Sequence, residues 1–424
     1  MRKVALVSEH ASPLALTGGV DSGGQNIYVA NVAKQLAQSG YTVDIFTRRD
    51  NLLQPAIVKW KHNIRVIHVA AGPAKFIPKE QMLPYMEEFG TYLHTFFSSQ
   101  KRPYDVIHAN FFMSGFAALS VAQTFNIPLV MTFHALGRVR RLFQHEADCF
   151  PDTRFDIEDQ LIQDADRIIA ECPQDKLDMV SLYNAQTKKI DIVPCGFDPA
   201  ELNPVNRQKA RELLGWNEHE FIILQLGRMV PRKGVDNVIR ALALLRNSYN
   251  INARLYVVGG NADDPNEIAT PEIGRLRKIA EMEDVASQVN FIGRRGREML
   301  RYFYSAANVF VTTPWYEPFG ITPVEAMACG TPVIGSAVGG IKSTVVEGET
   351  GYLLPPNATI PLANRLAYLY QNPELAVELG RAGCERANRL FTWRQVGHHI
   401  AQVYERTITH DQVLPAVAET RIAV

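Results

Sequence analysis

Short apolar runs rich in β-branched residues recur along the chain, each separated from the next by a stretch of helical periodicity. In the first half these are residues 4–8, 43–47, 66–69, 106–109, 129–133, 168–171 and 190–194. Their length and flanking turn formers predict strands buried on both faces. Between the first two, residues 25–39 carry Val29, Val32, Ala33 and Leu36 on one face and stop at Gly40, which predicts an amphipathic helix. The same alternation restarts in the second half at 221–226, 255–258, 289–292, 309–311 and 332–334. Alternation of this kind predicts an α/β fold with parallel, doubly wound sheets. Between the two series, residues 195–204 (C-G-F-D-P-A-E-L-N-P) hold few helix formers and two prolines, which predicts an inter-domain linker. The expected domains are therefore 1–198 and 205–394. A last amphipathic helix is expected over 391–408, with Trp393, Val396, Ile400 and Val403 at helical spacing.

A length of 424 residues exceeds one hydrophobic core and agrees with two domains. Lys and Arg together number 44, as do Asp and Glu, so no net charge favours nucleic acid or a membrane surface. Cys149, Cys172, Cys195, Cys329 and Cys384 are scattered, odd in number and lack C-x-x-C spacing, which argues against a disulfide framework or zinc site and for a cytoplasmic location. The opening M-R-K-V-A-L-V-S reads as a first strand rather than a signal peptide, and no run approaches membrane length.

The chemistry concentrates in residues 312–332, T-T-P-W-Y-E-P-F-G-I-T-P-V-E-A-M-A-C-G-T-P. They follow a predicted strand and lead into a helix. Pro318 forbids helix at Glu317, Gly320 permits a tight backbone path, and Pro323 suits a first helical turn. Amides of Phe319, Gly320, Ile321 and Thr322 then project from a helix start toward an anion or sugar oxygens, bracketed by Glu317 and Glu325. A second loop, G-R-M-V-P-R-K-G at 227–234, follows the first strand of the second half; Arg228 and Lys233 are suited to two phosphates. A glycine-rich turn at 18–26 includes Gly23 and Gly24 before the first helix, without the G-x-G-x-x-G fingerprint of dinucleotide binding. His134, in T-F-H-A-L-G-R-V-R-R, ends a predicted strand. The D-x-D of Asp164 and Asp166 falls at a helix end and reads as structural.

The form E-P-F-G-x-x-x-x-E-A-M-A-C-G-x-P-V-I resembles the nucleotide-sugar site of the retaining GT-B glycosyltransferases of group 1, family 4. That family contains sucrose-phosphate synthase, sucrose synthase and the mycothiol-pathway inositol-phosphate glycosyltransferase. The resemblance implies two Rossmann-like domains facing across a cleft, with a terminal helix at about 395–424 crossing back onto the first domain. It also implies that Glu317 binds donor hydroxyls, Glu325 the ribose, and Arg228 and Lys233 the diphosphate, in a loop similar to the family's G-R-x-x-x-x-K-G. Gly23 and Gly24 would face the distal phosphate, and His134 the transferred sugar's primary hydroxyl. Arg294, in F-I-G-R-R-G, is expected to frame the base. Gln25, Lys79, Arg138 and Arg154 are expected at the acceptor, Lys79 and Arg154 resembling positions that grip its phosphate; the cluster Arg138, Arg140 and Arg141 also leaves an anionic membrane surface or no binding role open, with the basic residues after H-S-L-G in sucrose-phosphate synthases favouring the acceptor.

Where the inositol-phosphate relative has tyrosine and threonine, this chain has Phe111 and Ala135, so two hydroxyl donors are missing. The expected activity is transfer of glucose from UDP-glucose to a sugar phosphate, with fructose 6-phosphate first because H-A-L-G-R resembles the sucrose-phosphate synthases. No metal or cofactor is expected, since cations and helix amides would meet the leaving charge. Inositol phosphate, a lipid or a polysaccharide as acceptor, ADP or GDP in the donor, a GT-B epimerase and a non-catalytic sugar-nucleotide sensor stay open. The expected partners are small molecules, with no nucleic acid or membrane; a homo-oligomer stays open.

Overall fold

A computed structural model describes residues 1–15 and 23–409. The first part of the glycine-rich turn (18–22) and residues 410–424 of the expected terminal segment lie outside them. The described residues form two compact units, Met1–Cys195 together with the helix Trp393–Ile408, and Gly196–Thr392.

The first unit is built on β1 (Lys3–Val7), β2 (Thr42–Arg48), β3 (Ile57–Lys61), β4 (Ile64–Val69), β5 (Val106–Asn110), β6 (Leu129–Thr132), β7 (Arg167–Ala170) and β8 (Ile190–Ile192). They form one sheet in the order β3-β4-β2-β1-β5-β6-β7-β8. Every pairing is parallel except β3 with β4. The central strands β1 and β5 are buried at every residue, as a sheet covered by helices on both faces requires.

The helix Trp393–Ile408 belongs to this unit because its apolar stripe, Trp393, Val396, Ile400, Val403 and Tyr404, is buried there. The Tyr404 hydroxyl lies 2.6 Å from His108 Nδ1, and Tyr41 donates to Glu405 at 2.7 Å. Gly397 lets the helix approach Gln35 closely: a Cβ there would fall 2.3 Å from the Gln35 Cβ.

The second unit carries β9 (Phe221–Leu226), β10 (Ala253–Val258), β11 (Val289–Gly293), β12 (Val309–Thr312), β13 (Val333–Ser336) and β14 (Gly351–Leu354). Their order β11-β10-β9-β12-β13-β14 is all parallel and is the nucleotide-binding order 3-2-1-4-5-6. Ile223, Leu255, Val257, Val311 and Ile334 of the sheet pack with Val238, Leu242, Leu362 and Leu366 of the helices Val235–Tyr249 and Thr359–Gln371. Both sheets reverse their winding beside the first strand, between β1 and β5 and between β9 and β12. In open α/β sheets ligands bind at the carboxyl ends of such strands.

Two strands lie outside the expected set. β3, I-V-K-W-K, is an antiparallel edge whose exposed Lys59 and Lys61 break any apolar run. β14 is four residues long and opens with glycine.

Helix Pro373–Leu390 crosses the turn at Gly330 so closely that a Cβ on Gly380 would sit 2.1 Å from the Gly330 carbonyl oxygen. Backbone cannot yield as a flexible side chain does. Gly380→Ala is therefore expected to destabilise the second unit by about 1–3 kcal/mol or more. Urea unfolding checks this, and a midpoint equal to that of the parent protein would refute the close packing.

Candidate active site

In the second unit, residues 227–234 follow β9 and residues 313–320 follow β12, so both loops stand at the carboxyl edge of the sheet. They are stitched together. Gly234, at φ 65°, would bring a Cβ to 2.1 Å from the Thr313 carbonyl oxygen, so only glycine fits. Thr313 Oγ1 donates to Gly234 O at 2.7 Å, and Trp315 N donates to Arg232 O at 3.0 Å.

This stitching brings Lys233 Nζ to 2.5 Å from Glu317 Oε2. Arg232 Nη1 donates to the same oxygen at 3.3 Å and to Tyr316 O at 2.9 Å. Both members of the pair are largely buried, with side-chain exposures of 11% and 12%. Burial raises the Glu317 carboxyl, but the charges of Lys233, Arg232 and Arg228 outweigh it and hold it at about 2. Burial pulls the Lys233 ammonium down to about 8, with Glu317 restoring part of the loss. At neutral pH both are ionised. Arg228 stands on the exposed part of the loop.

The helix Ile321–Ala328 begins after Gly320, at φ 90°, with no side chain capping its start. Gly339 and Gly340 let the next loop close over the preceding turn, with Cβ positions 1.7 Å from Glu317 O and 2.4 Å from Phe319 O. The uncapped start therefore offers the amides of Phe319 to Thr322 beside a fixed carboxylate and two fixed cations, a setting for a diphosphate flanked by hydroxyls. Glu325 is 3% exposed. Its Oε1 accepts from Arg297 Nη1 at 3.2 Å and its Oε2 from the Tyr304 hydroxyl at 2.9 Å. Burial lowers the Arg297 guanidinium, but Glu325 and Glu201 outweigh it and keep it ionised. Arg294 follows β11, where its Nε donates to Asp263 at 3.0 Å.

The first unit gathers its own groups at the carboxyl edge. His134, just past β6, has φ 59°, and Phe111, just past β5, has φ 85°. Two bulky residues in the left-handed region at strand ends are the kind of strain that functional sites hold. His134 Nδ1 lies 2.9 Å from Glu171 Oε1 and Nε2 lies 3.1 Å from Asn110 Oδ1, while Tyr28 packs edge-on at 4.8 Å. Gln25 Nε2 donates to Ser8 Oγ at 3.2 Å and Asn110 O at 3.1 Å, and Gly23 N to Asn26 Oδ1 at 3.0 Å. Gly24 opens the helix Gly24–Gln38. Lys79 opens the short turn Lys79–Gln81.

Two acceptor expectations change. Arg154 is not presented to solvent: its side chain is 1% exposed, Nε bonds Glu158 at 2.7 Å, and Nη2 bonds Ala135 O. Its guanidinium lies over the rings of Phe111, Phe112 and Phe150 at 4.6–5.1 Å. Arg138 is held by Asp159 through two bonds of 2.6 Å and by Leu182 O at 2.8 Å. Arg140 and Arg141 likewise face Asp148, and Arg141 also Asp152. The basic run is therefore charge-compensated within the protein.

Sequence reasoning passed over Arg232, Arg297, Tyr304, Glu171 and the Gly339–Gly340 pair. Only the glycines left a local signal, a doublet just after a predicted strand. The five cysteines are all free, and among the described residues no group of three or more His, Cys, Asp or Glu is placed to hold a metal. No described helix is long and apolar enough to cross a membrane.

The family model described as glycosyl transferases group 1 matches residues 206–386, and that of glycosyltransferase family 4 matches 22–201. D-inositol 3-phosphate glycosyltransferase of Corynebacterium glutamicum is 32% identical over 416 residues, 97% of this chain and 98% of that protein. The enzyme of that name from Pseudarthrobacter chlorophenolicus is 33% identical over 99% of both chains. Among solved structures, sucrose-phosphate synthase from Thermosynechococcus elongatus superposes with a TM-score of 0.88 at 33% identity, over 97% of this chain and 100% of that one. Anabaena HepE in complex with UDP and glucose, at 20% identity, shares the fold with a TM-score of 0.73 over 96% of this chain and all of its own.

Removing one partner of a buried ion pair leaves the other charge unanswered. Arg297→Met is expected to destabilise the protein by roughly 3–5 kcal/mol, and adding Glu325→Gln to recover much of that. Denaturant midpoints of the two single variants and the double variant check the coupling; simple additivity would refute it.

Proposed function

Because this chain belongs to the group 1, family 4 glycosyltransferases of the GT-B fold, we propose that it transfers glucose from UDP-glucose to a sugar phosphate with retention of configuration. Fructose 6-phosphate is the first acceptor and sucrose 6-phosphate its product. The observation that carries the reading is the meeting of Lys233, Arg232 and Glu317 beside the uncapped start of helix Ile321–Ala328.

In this reading the donor diphosphate takes Lys233 and Arg228, with amides of Phe319 to Thr322 on its remaining oxygens. Glu317, released from Lys233, accepts from the glucose hydroxyls. Glu325, fixed by Arg297 and Tyr304, accepts from the ribose diol. His134 holds the sugar's primary hydroxyl, its ring oriented by Glu171. The bond from the anomeric carbon to the diphosphate breaks as fixed positive charge and oriented dipoles draw off the leaving group. The acceptor hydroxyl attacks on the face the diphosphate leaves, its oxygen bonding the anomeric carbon as its proton passes to the departing phosphate oxygen, and its orientation supplies the rest. Charge on the departing group is met by side chains and amides, so the reading includes no metal and no cofactor.

Support for fructose 6-phosphate comes from the sucrose-phosphate synthase likeness and from Phe111 and Ala135, which lack the hydroxyls of the inositol-phosphate enzyme's pattern. The second reading, inositol phosphate as acceptor, is favoured by the identity to enzymes of that name. A UDP-release screen of nucleotide sugars against fructose 6-phosphate, inositol phosphate and their unphosphorylated forms separates the two. Release with none of them would overturn a transferase to small polyols.

Lys233→Ala is expected to lower kcat by about two to three orders of magnitude, the size of losing one charge-stabilising donor, with the fold retained. The lowered Lys233 ammonium sets the pH sign: its charge is complete below about 8 and is lost as pH rises through that value. The kcat/KM for the donor, which reports the free enzyme, should therefore fall above about pH 8, and Lys233→Arg should move the fall upward. A profile flat to pH 10 would remove Lys233 from the diphosphate.

A further inference from the structure

At the amino ends of β9 and β12, the opposite end of the sheet from the nucleotide loops, the second unit holds a cavity of about 220 Å³. Its lining includes Arg207, Arg211, Glu218, Glu220, Phe221 and Tyr370. Arg207 and Arg211 stand one turn apart on the helix Arg207–Leu214, a spacing at which like charges repel.

Among the described residues, neither charge is answered by a carboxylate bond. Arg211 is 3% exposed and spends its N–H groups on neutral oxygens: Ala306 O at 2.9 Å, Asn217 O at 3.2 Å, Glu218 O at 2.5 Å and Asn308 Oδ1 at 2.7 Å. Arg207 Nε is sealed from solvent and has no hydrogen-bond partner among the described residues. The nearby acids are engaged elsewhere. Glu220 pairs with Arg254 at 3.0 Å, and Glu218 with His219 at 3.1 Å and Gln208 at 3.4 Å. Burial lowers the pKa of both arginines, Arg211 to about 10, with Arg207 adding to the fall and Glu220 opposing it. Two desolvated cations side by side, with Glu220 acting on Arg211 only from a distance and already paired with Arg254, cost stability, and the cavity they border is the space where a counter-ion fits.

We propose that this cavity binds a small oxyanion of the phosphate class. Arg207 supplies its fork and Arg211 the N–H its four bonds leave over. Donors converging from two guanidinium groups suit a tetrahedral anion better than a flat carboxylate, which a single fork satisfies. Phe221 and Tyr370, edge to face at 5.4 Å, wall one side and strengthen the charge interaction by excluding water. The site is distinct from the donor loops and does not depend on what the enzyme transfers.

Inorganic phosphate is the probe, compared with chloride at equal ionic strength in a thermal melt, with saturating UDP present to occupy the donor loops. The full chain is expected to melt roughly 2–4 °C higher in phosphate, the shift given by modest excess over the dissociation constant. Arg207→Gln should lose that rise, and Arg207→Lys should keep part of it. In chloride Arg207→Gln should melt no lower than the parent protein, because it removes an unanswered cation. No phosphate-dependent rise in the parent protein, or an equal rise in Arg207→Gln, overturns the proposal. A failure of UDP to bind would instead bear on the donor reading, and the comparison of Arg207→Gln with the parent would still decide this one.

Discussion

The contact on which the site depends is the ion pair of Lys233 with Glu317. It joins the loop after β9 to the loop after β12, and each partner is held in place by backbone the other loop supplies. A buried pair of this kind adds little to net stability, because taking two charges out of water offsets most of their attraction. What it does supply is a resting state in which Glu317 offsets part of the positive charge of Lys233 and Arg232. Without it, the Lys233 ammonium, the Arg232 guanidinium and the helix amides would leave the second unit with a desolvated positive pocket. In the proposed reading a donor molecule exchanges partners instead of filling a void: phosphate oxygens would take the cation and sugar hydroxyls the carboxylate. Affinity arises from the difference between two satisfied arrangements, so only a ligand carrying both chemistries at the right separation gains.

The same logic recurs at Glu325, whose two oxygens are each given one protein donor, Arg297 and Tyr304. A carboxylate oxygen has room for a second hydrogen bond, so fixing one lone pair of each aims the others. His134 is treated likewise by Glu171 and Asn110. In all three cases a residue proposed for the site is oriented by a partner that occupies part of its bonding capacity.

How far the sequence reached follows from what each feature depends on. Strands β1, β5, β9 and β12 were legible because burial on both faces leaves an uninterrupted apolar run. β3 was not, because an edge strand needs its lysines more than its apolar residues. Glu317, Glu325, Arg228 and Lys233 were legible through the turn chemistry around them, where proline and glycine fix the backbone. Arg232, Arg297 and Tyr304 were not, because an orienting residue is defined by whom it touches. Arg297 lies 28 positions from Glu325 and Arg232 lies 85 from Glu317, with nothing local to mark either.

The acceptor side illustrates the same limit in reverse, since residue type alone suggested more cations than the structure presents. Glu158 accepts from Arg154, from Gly137 N at 2.9 and 3.1 Å, and from the Tyr183 hydroxyl, so it is saturated and immobile. Arg154 is thereby held against three aromatic rings, with Phe111 closing the side where a tyrosine hydroxyl would otherwise stand. An acceptor phosphate reaching this arginine would meet Phe111 instead of a donor, and would have to draw the guanidinium away from a carboxylate already at 2.7 Å. Phe111 thus offers no hydroxyl to such a phosphate and lends its ring face to the cage around the cation. In the proposed reading, recognition of the acceptor would lean on groups outside this cage, with Lys79, His134 and Gln25 as its candidates.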